Sequence, residues 1–230
     1  MSYETVFKDH VVNSSPDSLR LSNPNIFLET GAEIRNSSVS DGLYMERFSG
    51  LNRSTTKGPC GIGSFSYVND TDLAPYCHIG PRSSLGGFEH PLDSLSQSSF
   101  LWGQNLDKCL QVETLGSEIA NSKPHYKRTT LQADIWIGAN CVIKAGITLG
   151  VGSTIGAGSV LTKATKPYGV YVGNPAKLLK FRFPNDIVER LVNSKWWELP
   201  TMFLASIDLH DIVGALNKIQ NYTALHRSSE

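Results

Sequence analysis

Leu131–Lys163 reads LQADIWIGANCVIKAGITLGVGSTIGAGSVLTK, and its beat of six decides the fold. Leu131, Ile137, Ile143, Leu149, Ile155 and Leu161 are aliphatic residues at a constant spacing of six. If about one residue in four is aliphatic, a given frame does this by chance about once in four thousand. Gly138, Gly150 and Gly156 follow marked residues, and the small residues Cys141, Ser153 and Ser159 precede them by two. Six is not a multiple of the helical period, but it is a multiple of two, so every marked side chain falls on one side of a strand. A short strand with one inward aliphatic, a corner, and the next strand build a prism with flat parallel faces. Three hexads, about eighteen residues, complete a coil, and coils stack roughly 4.8 Å apart. The glycines and small residues suit tight corners. The expected fold is mainly β, a parallel β-helix of hexapeptide repeats.

Upstream the beat comes in pairs: Leu28 and Ile34, Ile62 and Val68, Ile79 and Leu85. The frame shifts between pairs, so insertions or irregular corners must intervene. The expected organisation is a lead-in or cap over residues 1–24 and a β-helix over 25–183. An active-site loop is expected at about 86–129 and a helical tail at 184–230. Solenoid ends need such covering because an open coil exposes strand edges. In the tail, YGVYVGNPAKLLKFRF reads as a strand, a turn at Gly173–Pro175 and a connector. PNDIVERLVNSKWW reads as a helix capped by Asn185, with Ile187, Val188, Leu191 and Val192 as its apolar stripe ending at Trp196 and Trp197. A second helix is expected from near Asp208, with Ile212, Val213, Leu216 and Ile219 on one side, and NYTALHRSSE as a frayed end. The tail reads as a packing cap on the prism.

Lys+Arg and Asp+Glu are both 21, so bulk charge gives no reason to expect nucleic acid or an acidic membrane as partner. Cys60, Cys77, Cys109 and Cys141 have neither CxxC spacing nor a disulfide pattern and read as reduced thiols. With no signal segment and no membrane-length apolar run, a soluble cytoplasmic protein is expected.

One stretch leaves the beat: GGFEHPLDSLSQSSFLW, Gly86–Trp102, with His90 between Glu89 and Pro91 and with Asp93 close behind. A metal centre would need several histidines on adjacent coils, and His78, His90 and His125 lack such spacing, so no metal is expected. A lone histidine on an inserted loop suits a general base, since imidazole accepts a proton near neutral pH. Spacing alone leaves an equal alternative, in which His90 pins the loop and Asp93 caps the next turn.

DIWIGANCVIKAGITLGVGSTIGAGSVLTK, VGNPAKLLKFRF, SKWWELP and the HPxD loop together resemble the hexapeptide acyltransferases that use acetyl-CoA, over roughly residues 60–205. The resemblance is to the branch that holds xenobiotic (chloramphenicol and streptogramin) and surface-polysaccharide O-acetyltransferases. It implies a left-handed coil, acetyl-CoA as co-substrate, direct transfer without an acyl-enzyme, and a homotrimer with sites between subunits. It places His90 at the catalytic base and Trp136, Asp93 and Phe100 around the acceptor. Ala139 and Ala157 fall along the pantetheine arm, Thr162 and Lys163 near the distal part of CoA, and Lys177 and Arg182 near its phosphates. As residues alone, Lys163 and Lys177 read first as solvated lysines, and the motif context brings the CoA-facing reading level with that one. HPLDSLSQSSF is similar to the HPTDWxSTxPF segment of saccharide-modifying members rather than to the HRMD-type segment of drug-modifying ones. It departs at Ser94, where tryptophan is usual, and at Ser99, where proline precedes the aromatic. Acetyl transfer to a saccharide hydroxyl, less so an amine, is the leading expectation. Antibiotic O-acetylation and a catalytically silent scaffold are the alternatives.

Overall fold

A computed structural model describes residues 25–40, 42–90, 92–93, 95–98 and 127–227, with the backbone of Thr5–Phe7, Val12–Asn13 and Leu19–Ser22. The chain winds a left-handed parallel β-helix with three flat faces. The first face stacks Asn25–Leu28, Leu43–Met45, Cys60–Ile62, Cys77–Ile79, Trp136–Ile137, Thr154–Ile155 and Gly169–Gly173. The second stacks Glu33–Arg35, Gly50–Asn52, Tyr67–Asn69, Ser84–Gly86, Val142–Ile143 and Val160–Leu161. The third stacks Ser37–Val39, Thr55–Thr56, Thr71–Leu73, Thr129–Leu131 and Thr148–Leu149.

Every face sends a column of mostly aliphatic side chains inward, and the first adds a second column of Ile26, Leu43, Cys60 and Cys77. On the first, Leu28, Met45, Ile62, Ile79, Ile137 and Ile155 are all fully buried. Burying one such side chain contributes about 1.5–3 kcal/mol, so these columns are the main stabilising term of the prism. The hexad marks Leu131 to Leu161 all lie in these inward columns.

The upstream frame shift has one cause. Leu28, Met45, Ile62 and Ile79 are register partners at steps of 17, whereas Leu131–Leu149 and Ile137–Ile155 pair at steps of 18. The missing residue is always at the edge between the second and third faces, at Asn36, Arg53 and Asp70, each with φ 48°. The corner is irregular, as expected, but through a deletion and not an insertion. A ladder of buried hydroxyls holds it: the Ser54 amide donates to Ser37 Oγ (3.1 Å), and the Thr71 amide donates to Ser54 Oγ (3.1 Å). Arg53 adds a bidentate pair to Asp70 at 2.8 and 2.9 Å.

At the N-terminal end, Thr5–Phe7, Val12–Asn13 and Leu19–Ser22 pair antiparallel with the first-coil strand of the third, second and first face in turn. At the other end the segment read as a connector is a strand, Ala176–Phe181, folding back antiparallel on Gly169–Gly173. Helices α1 (Asn185–Ser194), α2 (Thr201–Ala205) and α3 (Ile212–Arg227) follow. They lie along the edge between the third and first faces rather than over the end of the prism. Leu191 and Leu216 pack with Ala133, Val151 and Tyr168 of successive coils, and Trp196 stacks on Tyr76 at 5.5 Å. Three expectations are corrected. Asn185 makes no side-chain cap and α1 starts after Pro184. Val213 is exposed, while Ile212 and Leu216 face inward. Residues 221–227 are helical, because Tyr222 is stacked between Phe203 and His226 at 4.0 Å each. Among the described residues, no helix is long and apolar enough to cross a membrane.

Candidate functional site

The loop of His90 leaves the prism at the same second–third edge where the upstream coils are short. Gly86 pairs in register with Asn69 and has φ +66°; a Cβ there would lie 2.0 Å from Asn69 O, so only glycine lets the chain turn out at this point. Glu89 then ties the loop to Lys144 on the next coil (3.1 Å), and the Phe88 ring lies 5.3 Å from His90. His90 is exposed, and its Nδ1 lies 2.5 Å from the carbonyl oxygen of Gln97. A carbonyl can only accept, so Nδ1 carries the proton and Nε2 is the ring's acceptor nitrogen. Asp93, Leu92 and Leu95 are exposed. Phe100, Pro91 and Ser94 lie outside the described residues.

On the first face, outward-pointing Trp136 is 55% exposed and pairs in register with His78. Both line a groove of about 490 Å³, with Tyr76, Thr154 and Arg182 at its rim. Arg182 Nη1 donates to Asp134 Oδ2 and to Gly152 O, both at 2.8 Å, and its guanidinium lies 5.3 Å from the Tyr168 and Phe183 rings. Burial raises the Asp134 carboxyl above its ordinary range, against the opposing hydrogen bond and charge of Arg182. Arg182 is thus a held residue, committed to its own chain's carboxylate. The Tyr168 hydroxyl, receiving the Trp196 indole N–H at 3.1 Å, is pushed up to about 12 by burial.

His90 does not line this groove. One chain places the loop at the second–third edge and Trp136 on the first face, so it does not assemble the two. His78 was weighed in the sequence only as a metal ligand; its outward position in CHIG, between inward Cys77 and Ile79, was the signal that it faces the groove.

Ala139 and Ala157 stack at the first–second edge. A Cβ at Gly138 would lie 2.6 Å from Ala157 N, so the coils close up only because this position is bare, and the Ala139 carbonyl accepts from Gly158 N at 2.8 Å. Thr162 and Lys163 are exposed just beyond Val160–Leu161, and Lys177 is exposed on Ala176–Phe181. The first–second edge is thus narrow and built of small residues, with Lys177 near it opposite Val172, while Thr162 and Lys163 lie past the second face toward the second–third edge. Among the described residues, no group of three or more His, Cys, Asp or Glu is placed to hold a metal.

A family model for the hexapeptide repeat of succinyl-transferase matches residues 134–163. A probable macrolide acetyltransferase of Lysinibacillus sphaericus is 32% identical over 129 residues, covering 54% of this chain and 67% of that protein. The chain belongs to the hexapeptide-repeat acetyltransferases. It is therefore an acyltransferase. A chloramphenicol acetyltransferase of Klebsiella aerogenes is 28% identical over 171 residues, 72% of this chain and 78% of that protein. Among solved structures, an N-acyltransferase of Bacillus cereus, crystallised with dTDP and coenzyme A, matches with a TM-score of 0.51 at 18% identity. That match covers 76% of this acetyltransferase and 89% of the other chain, and it shows a shared fold.

Proposed function

We propose that this acetyltransferase moves acetyl from acetyl-CoA to a hydroxyl of a saccharide, with His90 as general base. The contact of His90 Nδ1 with Gln97 O carries the proposal, because it fixes the tautomer in which Nε2 is the basic nitrogen. Acetyl-CoA supplies the activated acetyl thioester. Nε2 takes the proton of the acceptor hydroxyl as that oxygen attacks the acetyl carbonyl. The carbon–sulfur bond breaks, and the imidazolium returns the proton to the leaving sulfur. The products are the acetyl ester and free thiol. Ala139 and Ala157 line the arm, Thr162, Lys163 and Lys177 meet its distal end, and Arg182 with Trp136 forms the adjoining wall. Asp93 and Phe100 act on the acceptor side of the loop.

The separation of His90 and Trp136 within one chain supports a homotrimer in which the loop of one copy meets the first face of the next. Residues 25–183 form the unit carrying this chemistry, with 184–230 as its lateral tail. The buried free thiols Cys60, Cys77 and Cys141 support a reducing, cytoplasmic setting. The test is release of free thiol from acetyl-CoA with panels of nucleotide-sugars, oligosaccharides and chloramphenicol. His90→Ala is expected to lower kcat about 10²–10⁴-fold with acetyl-CoA binding retained; full activity in that variant removes the base assignment. The likeness to proteins named for macrolide and chloramphenicol acetylation favours a second reading, an antibiotic acceptor, which the same panel separates.

A further inference from the structure

The first–second edge changes character at the level of the His90 loop. Six register-equivalent corner positions run along it: Gly31, Phe48, Phe65, Arg82, Asn140 and Gly158, all at positive φ. Asn140 and Gly158 adopt that conformation readily and stand beside the small Ala139 and Ala157. Phe48 (φ 55°) and Phe65 (φ 61°) do not; a bulky side chain in this region is an outlier that costs stability. Burial recovers only part of that cost: Phe48 lies over bare Gly31, yet the two residues are still 46% and 45% exposed. They stack on each other at 5.3 Å, and the Arg82 guanidinium lies 6.0 Å from the Phe65 ring centre. Arg47 adjoins Phe48. Among the described residues neither Arg47 nor Arg82 is in an ion pair. Glu46, beside Arg47, is occupied by the Ser64 hydroxyl (2.6 Å) and amide (2.9 Å).

Arg47 acts electrostatically on Glu46, which leaves Arg82; strain, exposed flat apolar area and this cation on one edge call for a ligand with an apolar face and a negative charge. We propose that this ridge binds the non-reacting part of the acceptor, an acidic saccharide. Its ring face packs on Phe48 and Phe65, and its carboxylate pairs with Arg82. The inference rests on the saccharide reading above and adds the acceptor's charge. It also assigns the two halves of one edge to the two substrates, with small residues for the acyl donor below the loop and aromatic and basic residues for the acceptor above it.

The experiment is calorimetric titration of the full chain with trigalacturonate and with its carboxyl-reduced, neutral counterpart. The wild type, Arg82→Gln and Phe65→Asn are compared, with acetyl-CoA titrated into the same samples. Wild type should prefer the acidic trisaccharide, and Arg82→Gln should lose about tenfold or more of that affinity and the preference with it. Phe65→Asn should weaken both sugars by about three- to tenfold. Its melting temperature should hold or rise, because asparagine relieves the backbone strain. Equal affinity for the two sugars, no binding of the acidic one, or an unchanged Arg82→Gln overturns the proposal. So does a Phe65→Asn variant that changes only the sedimentation coefficient, which makes the ridge a contact between copies. Failure to bind acetyl-CoA strikes the transferase reading instead and leaves an acid-preferring ridge standing.

Discussion

The coils before the His90 loop and the coils after it solve one packing problem at different lengths. Downstream, 18 residues per coil leave a roomy corner at Lys144–Ile147, where Gly146 (φ 77°) donates its amide to Thr129 Oγ1 at 3.1 Å. Upstream, 17 residues close the same corner with a serine–threonine ladder and a bidentate ion pair whose acid, Asp70, is only 4% exposed. The inward columns are alike in both halves. In both, a corner amide donates to a hydroxyl of the coil before; what differs is that the downstream donor, Gly146, stands one residue further from its strand than Ser54 does, so coil length is set at this corner rather than in the core. Inserting a glycine between Arg53 and Ser54 should break the comparison most. It restores 18 residues but withdraws Ser54 from both its ladder bonds and disturbs the Arg53–Asp70 pair. A loss of roughly 2–4 kcal/mol is expected, read as a lower denaturant midpoint at unchanged slope. A neutral insertion would mean the ladder does not set the length.

This difference also explains what could be read in the sequence. Downstream, Leu131 to Leu161 form one unbroken frame, and the fold follows from it. Upstream, the inward positions step six, five, six through Met45, Leu51, Thr56 and Ile62. The step of five breaks the frame, and a threonine in an inward column hides the mark. The lateral seat of the helices was illegible because Tyr76, Ala133 and Tyr168 are corner residues with no period of their own. The His90 loop was legible as a departure from the repeat. The carbonyl that fixes the histidine's tautomer was not, since a backbone atom seven residues away leaves no trace in residue types. Outward residues such as His78, Phe48 and Arg82 carry no constraint from the core, so the repeat that announces the prism says nothing of them. They became visible only when the register stacked them.

Thr56 offers a smaller test of the same contrast. It occupies an inward column otherwise filled by Val39, Leu73, Leu131 and Leu149, and its Oγ1 has no hydrogen-bond partner among the described residues. Valine has nearly the same shape without the stranded hydroxyl. Thr56→Val should therefore stabilise the protein by about 1–2 kcal/mol, seen as a raised melting temperature. A drop would mean that the hydroxyl is bonded after all and that upstream columns are not interchangeable with downstream ones.

The smallest expected effect separates the halves by sign. Upstream, the Arg128 guanidinium hydrogen-bonded to Asp72 lowers its carboxyl below the ordinary range, and the Ser64 hydroxyl and amide do the same for Glu46. Downstream, burial raises Asp134. A depressed acid stabilises the fold above its unfolded pKa, about 4 for these side chains, and loses that contribution as pH falls through the lower folded value. A raised acid does the reverse, because the folded state takes up the proton first, and acidification relieves the cost of ionising it in a dry place. Melting temperatures should therefore fall less between pH 7 and about pH 3 in Asp72→Asn than in the wild type, and more in Asp134→Asn. Asparagine keeps one oxygen for Arg128 or Arg182, and the second Arg128 bond lost at position 72 is lost at both pH values, so the change between them reports the charge. Shifts in the same direction for both variants would erase the distinction between a surface carboxylate held by its cation and a carboxylate held down by its surroundings.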